Sequence, residues 1–320
     1  MMLEVKDLSI GFDSADGIVQ VLEAVNFSLD EGEIVGIVGE SGSGKSVTAL
    51  SILGLLGGNA IIDGGSIIYK GQNILSLTAK NLQLLRGKEI GMVFQEPMTA
   101  LHPTMKIGRQ LAEVIKRHQH ISKKAAYQRA IEALDAVHIH YPEKVAGQYP
   151  YELSGGMRQR VVIALAMAGP PKLLLADEPT TALDVTIQKE ILDLFRELNH
   201  ANHVSILLIT HDLGVVSQIC DRTLVMYAGE IVEAGPTDEV LEHPSHPYTQ
   251  ALIDALPEDK DPDRPLNAIQ GEVITLKNRP VGCCFASRCR HRMKLCDEKH
   301  PQFDEICPNH SVSCWMGRDE

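Results

Sequence analysis

The octapeptide Gly39-Glu40-Ser41-Gly42-Ser43-Gly44-Lys45-Ser46 constrains this chain more than any other stretch of it. It fits the pattern Gly, four residues, Gly-Lys-Ser/Thr. It follows a buried-strand candidate, Glu33-Ile34-Val35-Gly36-Ile37-Val38, and runs into a helix beginning near Lys45. Glycines let successive backbone N–H groups turn inward around an anion, and the helix behind them points its positive end at the same place. Lys45 would reach the β- and γ-phosphates of a nucleotide, Ser46 could ligate Mg²⁺, and Val47 completes the nucleotide-facing stretch. A flexible Gly/Ser turn would need neither the strand before it nor the helix after it.

Three more short runs, Ile90 to Phe94, Leu173 to Ala176 and Ser205 to Thr210, are apolar on both faces, as parallel strands covered by helices must be. Residues 3–38 read as strands with turns, with Leu3, Val5, Leu8 and Ile10 apolar amid polar neighbours. Between Phe94 and Leu173 the pattern is mostly helical. Ile107, Leu111, Val114 and Ile115 share one helix face, and Ser122 is placed to cap a helix carrying Ala125, Ala130, Ile131, Leu134 and Val137. The expected fold is an α/β P-loop NTPase core with an antiparallel β region, and with a helical subdomain of about 96–168 inserted into it. The run Leu173-Leu174-Leu175-Ala176 ends in Asp177-Glu178, which puts two carboxylates at the C-terminal edge of a strand, where ligands sit in open α/β sheets. Asp177 is the expected Mg²⁺ ligand and Glu178 the base that polarises attacking water.

Charge excludes one class of function. With 42 acidic against 30 Lys and Arg residues the formal net charge is −12, the wrong balance for a general nucleic-acid binder. No stretch offers about 18 uninterrupted apolar residues, and the closest, Val47 to Ile62, is broken by Thr48, Ser51, Asn59 and glycines. No basic segment followed by an apolar run opens the chain, so the expectation is a cytosolic protein unless a partner holds it at a membrane. Cys220 stands alone while six cysteines crowd between Cys283 and Cys314, after a polar Pro257 to Pro265 stretch that reads as a linker. Residues 1–256 are therefore expected as one domain and 257–320 as a C-terminal cysteine-rich extension. In a reducing compartment such a cluster suggests metal binding rather than disulfides.

Leu153-Ser154-Gly155-Gly156-Met157-Arg158-Gln159-Arg160, directly before a helix, resembles the signature motif of the ATP-binding-cassette (ABC) ATPases. The resemblance covers about residues 3–255. It implies that Ser154, Gly155, Gly156 and Gln159 serve ATP bound to a second ABC ATPase subunit, because one chain does not need two phosphate cradles for one nucleotide. It further implies that Gln95 senses Mg²⁺ and contacts a membrane partner. In the same way Ala182-Leu183-Asp184 would lie across the dimer, His211 would stand at the γ-phosphate, and Phe12 would stack on adenine. Two transmembrane permease subunits and, indirectly, an external solute-binding protein are the implied partners, with the chain peripheral on the cytoplasmic face of a membrane.

The segment Glu242-His243-Pro244-Ser245-His246-Pro247-Tyr248-Thr249, with Leu252, is similar to the C-terminal extension of oligopeptide and dipeptide importer ATPases, as is Gln95-Glu96-Pro97-Met98-Thr99-Ala100-Leu101. The spacing of Cys283, Cys289, Cys296 and Cys314 is similar to that which ligates a four-iron four-sulfur (4Fe-4S) cluster in them. Cys284 and Cys307 are extra. Zinc held by cysteines with His291, His300 or His310, and simple buried thiols, remain alternatives. The resemblance implies a peptide importer ATPase with a paralogous dimer partner. An importer ATPase for another solute such as nickel, a soluble ABC ATPase, and an iron–sulfur electron carrier are the competing readings.

Overall fold

The computed structural model describes residues 1–15, 17–256, 269–271, 273–274, 277 and 279–316. The Pro257 to Pro265 linker lies outside the described residues, and so do the last four residues.

Two sheets organise the chain. The first is antiparallel, in the order β2-β1-β4-β5, from β1 (Leu3–Ser14), β2 (Gly17–Leu29), β4 (Ala60–Tyr69) and β5 (Gln72–Asn73). The second has the order β11-β12-β10-β9-β3-β8-β7-β6. Its centre is parallel: β3 (Ile34–Val38), β6 (Ile90–Val93), β7 (Leu173–Asp177), β8 (Ser205–Thr210) and β9 (Arg222–Tyr227). β10 (Glu230–Pro236) pairs antiparallel with β9, and β12 (His310–Val312) and β11 (Asp304–Cys307) extend that edge.

Strand alternation splits the core in two. Every residue of β3, β7 and β8 is buried. Val38, Leu174, Ala176, Ile206 and Leu208 join one cluster with the helices, while Val35, Ile37, Leu173, Leu175, Leu207 and Ile209 join a second cluster with the antiparallel sheet. Successive side chains of a strand point to opposite faces, so a strand covered on both sides must be apolar throughout.

Helix α1 (Lys45–Ile52) follows β3, and α2 (Ala79–Leu85) precedes β6. Five helices lie between β6 and β7: α3 (Pro97–Ala100), α4 (Ile107–Gln119), α5 (Lys123–Ala136), α6 (Pro142–Ala146) and α7 (Gly155–Met167). Along α4 the buried Ile107, Leu111 and Ile115 recur every four residues, and Lys116, Arg117 and His118 occupy the last turn, where the helix dipole favours cations. The Ser122 hydroxyl accepts from the Ala125 N–H at 3.3 Å and caps α5. α8 (Val185–Asn202), α9 (Leu213–Ile219), α10 (Thr237–Glu242), α11 (Pro247–Asp254) and the short α12 (Lys294–Glu298) complete the chain.

The described C-terminal residues do not stand apart from the rest. β12 pairs with β10 through Glu233 and Val312, and Cys284 and Phe285 are buried in the larger core cluster. Glu233 is fully buried and accepts from His310 Nε2 at 2.8 Å, from the Ser245 N–H at 2.7 Å and from the His246 N–H at 3.0 Å. A segment with few apolar residues of its own has taken its core from the sheet beside it.

Candidate nucleotide site

The loop Gly39–Ser46 joins β3 to α1, and its backbone has no room for a side chain at Gly39 and Gly44. At Gly39, where φ is +155°, a Cβ would lie 2.1 Å from the Met226 carbonyl oxygen. Gly44 caps α1 at φ +107°, a conformation L side chains rarely adopt. Lys45 is buried, and its Nζ donates to the carbonyls of Gly39 at 2.7 Å and Glu40 at 2.9 Å. Burial pulls its ammonium below the ordinary value, against the opposing pull of Glu178, Asp177 and Glu40. A polyphosphate is the ligand that would restore that charge.

Ser46 and Asp177, both expected at Mg²⁺, lie together: the Ser46 hydroxyl donates to Asp177 Oδ1 at 2.9 Å. Burial raises the Asp177 carboxyl, and the Ser46 hydrogen bond opposes the rise. A hydroxyl beside a buried carboxylate that ionises reluctantly is a hard-oxygen donor set suited to Mg²⁺.

Glu178 is the hub of the site. Its Oε2 accepts from Gln95 Nε2 at 3.0 Å and from the Thr181 hydroxyl at 2.9 Å, and its Oε1 lies 3.3 Å from His211 Nδ1. Three residues more than 30 positions apart in sequence, Gln95, Glu178 and His211, are thus brought together by the C-terminal ends of β6, β7 and β8. Glu178 adopts φ +46°, a left-handed conformation costing on the order of 1–3 kcal/mol, and its N–H is tied to the Ile209 carbonyl at 2.8 Å. Thr181 was not among the expected residues. Its position three residues after Glu178, in the turn leaving β7, was the available signal.

The signature segment opens α7. Ser154 caps the helix by accepting from the Met157 N–H at 3.3 Å, and Ser154 and Gly155 are exposed. Among the described residues no hydrogen bond links 153–160 to the Gly39–Ser46 loop, Asp177 or Glu178. Gln159 faces inward instead: it is 2% exposed, so it is not presented to an incoming nucleotide. Asp184 is exposed and caps α8 through the Ile187 N–H at 3.0 Å, and the neighbouring Val185 is 83% exposed. Phe12 is half-buried on β1 opposite Val19, and Val21 on that same strand β2 places its carbonyl 3.3 Å from where a Gly44 Cβ would stand.

The cysteines sort into groups. Burial pushes the Cys283 thiol up to about 12, and the sulfurs of Cys296, Cys284 and Cys314 stand near enough to add to the rise. Burial also raises Cys289, with Cys296 adding to it. The Cys283 N–H donates to the Cys296 carbonyl at 2.8 Å. Cys284 turns toward Glu230 and His300, and Cys307 lies exposed on β11. No disulfide joins any of the seven cysteines, all of which lie among the described residues.

A glycine loop on a parallel sheet, an acidic strand end whose glutamate meets Gln95, Thr181 and His211, and an exposed serine-capped helix start lie together in one cassette. The chain belongs to the ABC transporter ATP-binding family, and it is an ATPase. Residues 22–181 match the ABC transporter family, and residues 232–296 match the oligopeptide/dipeptide transporter C-terminal region. It is 50% identical to the oligopeptide transport ATP-binding protein OppD of Bacillus subtilis (strain 168), over 98% of this chain and 88% of that one. It is 46% identical to the dipeptide transport ATP-binding protein DppD of the same organism, over 98% of this chain and 94% of that one. The dimeric structure of MJ0796, a bacterial ABC transporter cassette, is similar with a TM-score of 0.66 and 30% identity, over 74% of this chain and 99% of that one. A dimeric post-hydrolysis state of the same cassette, bound to ADP and Pi, aligns equally well.

Proposed function

We propose that this chain is the ATP-hydrolysing subunit of an importer for di- or oligopeptides. The observation that carries this reading is that an intact hydrolytic cluster around Glu178 and a C-terminal region of the oligopeptide/dipeptide type occur in one chain.

The residues suggest how the work is divided. Lys45 and the backbone amides of the loop, other than those of Glu40 and Ser43 that donate to Tyr248 and to the Glu40 carbonyl, would bind the polyphosphate, and Ser46 and Asp177, with Gln95, would hold Mg²⁺, which would supply charge neutralisation for the transferred phosphoryl group. Glu178 orients a water and takes its proton as the oxygen attacks the γ-phosphorus and the bond from that phosphorus to the bridging oxygen breaks, releasing ADP. Gln95, Thr181 and His211 fix the carboxylate so that little reorganisation is needed during the step. Ser154, Gly155 and Gly156 present the start of a 13-residue helix to solvent, where a second subunit's nucleotide could meet them. ATP would close such a dimer, and hydrolysis would reopen it.

Among the described residues no helix is long and apolar enough to cross a membrane. Import therefore needs permease subunits, and the surface at the exposed Gln95 and Met98 is our choice for their contact. We also read Cys283, Cys289, Cys296 and Cys314 as ligands of a 4Fe-4S cluster with a structural role. Support comes from proximity: the sulfurs of Cys296 and Cys314 stand near Cys283, and that of Cys296 near Cys289, in a segment whose burial raises both thiols.

Reconstitution in vesicles with the co-purifying permease subunits tests the transport reading. Peptide-dependent ATP hydrolysis and peptide uptake are expected. Stimulation by nickel or another solute, with none by peptides, would overturn the assignment. Anaerobic purification followed by iron and sulfide analysis tests the cluster, and stoichiometric zinc without iron would replace it.

A further inference from the structure

The phosphate-binding loop is gripped by side chains from far outside its motif. Glu40, the second residue of the loop, receives both arms of the Arg288 guanidinium: Nη1 donates to Oε2 at 2.7 Å and Nη2 to Oε1 at 3.0 Å. The Arg288 side chain is 3% exposed. The Glu40 backbone N–H donates to the Tyr248 hydroxyl at 2.9 Å. Glu40 is thus held at both its side chain and its main chain by residues 208 and 248 positions away.

The guanidinium is itself immobilised. Its Nε donates to the Gln270 carbonyl at 3.1 Å, and it lies 5.8 Å from the Tyr227 ring centre and 6.0 Å from that of Phe285. Tyr227, Tyr248 and Phe285 pack on one another with ring centres 4.6 to 5.3 Å apart. The fork geometry of arginine allows such a pair to fix direction as well as charge.

Both ends of this linkage are chemically active. Toward the nucleotide, the carbonyls of Gly39 and Glu40 are the groups that hold Lys45 Nζ. Toward the C terminus, Arg288 closes the 3₁₀ turn Ala286–Arg288, which is bracketed by Cys283 and Cys289. The guanidinium is thus carried by the turn that joins those two cysteines.

We propose that Arg288 is a positioning residue for the phosphate-binding loop, and that through Glu40 it couples the state of the cysteine cluster to ATP binding. This rests on the loop's reading as the ATP site. It does not depend on which metal, if any, the cysteines hold.

The test uses the full chain, with labelled ATP and Mg²⁺ as probe. Arg288→Gln should weaken ATP binding about ten- to a hundredfold, the usual effect of losing hydrogen bonds to a charged group. Arg288→Lys, which keeps the charge but loses the fork, should recover part of the loss. In a Glu40→Gln background, Arg288→Gln should cost little more, because the two act as one unit. Unchanged affinity in Arg288→Gln, or losses that simply add in the double variant, would overturn the proposal.

A second readout separates positioning from mere structure. Coupling is reciprocal, so ATP should change the alkylation rate of the cluster thiols in the wild type. That ATP effect should vanish in Glu40→Gln even at saturating ATP, although the substitution lies outside the cysteine segment. If Arg288→Gln loosens the segment on its own, Glu40→Gln decides: an ATP effect retained there overturns the coupling, and its loss supports it. A wild-type chain that bound no ATP would instead overturn the site reading, a result distinct from binding without coupling.

Discussion

Replacing Glu178 by glutamine tests the hydrolytic cluster at its centre. The structure permits the exchange without a void. The glutamine carbonyl can take the place of Oε2 and keep the hydrogen bonds from Gln95 and Thr181, now 3.0 and 2.9 Å. Its amide then faces His211 Nδ1, now 3.3 Å from Oε1, and can donate to that nitrogen when it is unprotonated. Packing and ATP binding should therefore survive, and the function lost is proton acceptance. Loss of a positioned base costs about 10² to 10⁴ in rate. That corresponds to about 2.7–5.4 kcal/mol of transition-state stabilisation. The assay is single-turnover hydrolysis in the assembled transporter, beside equilibrium ATP binding. A slow step with unchanged ATP affinity and accumulation of the closed dimer is expected. Hydrolysis at the wild-type rate would refute the assignment of Glu178. A rate loss matched by an equal loss of ATP affinity would mean that Glu178 holds nucleotide rather than activating water.

Three further perturbations probe other parts of the molecule. A Cβ at Gly155 would touch only Leu183, at 3.7 Å, and an acidic residue in a first helical turn is favoured by the dipole. Gly155→Asp should therefore fold normally and bind ATP at its own loop, yet abolish turnover by repelling the partner subunit's γ-phosphate; a large drop in affinity in the isolated chain would instead place the signature at its own nucleotide. Burial depresses His246 to about 3 in the folded chain, and its Nδ1 accepts from the Tyr248 N–H at 2.9 Å. The unfolded chain, with an ordinary value near 6.5, thus binds the extra proton between about pH 6.5 and pH 3, and stability falls as pH drops through that window. Between pH 7 and pH 5 this amounts to roughly 2 kcal/mol, measurable as a difference in thermal unfolding from His246→Gln, which should lack it. Cys289→Ser should lower bound iron and loosen residues 282–296, while β12 stays protected from hydrogen exchange by its pairing with β10 and by the buried Glu233–His310 contact. Uniform loss of protection across residues 282–312 would mean that the metal, not the sheet edge, anchors the segment.

The sequence by itself determined the parts that rest on local chemistry. The run from Ile34 to Ser46 was readable as a buried strand, a glycine loop and a helix, because its residues fit the phosphate-loop pattern and few residue types can take the backbone at Gly39 and Gly44. Ser122 as a helix cap was equally legible, since a cap acts on an amide three residues away. The strands β7 and β8 were readable as buried on both faces from their unbroken apolar runs. Tertiary structure alone decided what depends on register between distant elements. The meeting of Gln95, Thr181 and His211 on Glu178 follows from the parallel order of β6, β7 and β8 and from a strained turn after β7, and no local pattern encodes either. The inward turn of Gln159 depends on the packing around α7, which a motif read as a string does not contain. The C-terminal segment shows the difference most clearly. Read alone, it has too few apolar residues for a core and looks like a separate unit held by metal. In the fold its strand joins the edge left by β10, its Phe285 packs on Tyr227 and Tyr248, and its Arg288 reaches Glu40. Those contacts span up to 248 positions of sequence. Apolar burial and ion pairing depend on proximity in space, and only the folded sheet sets which residues are near.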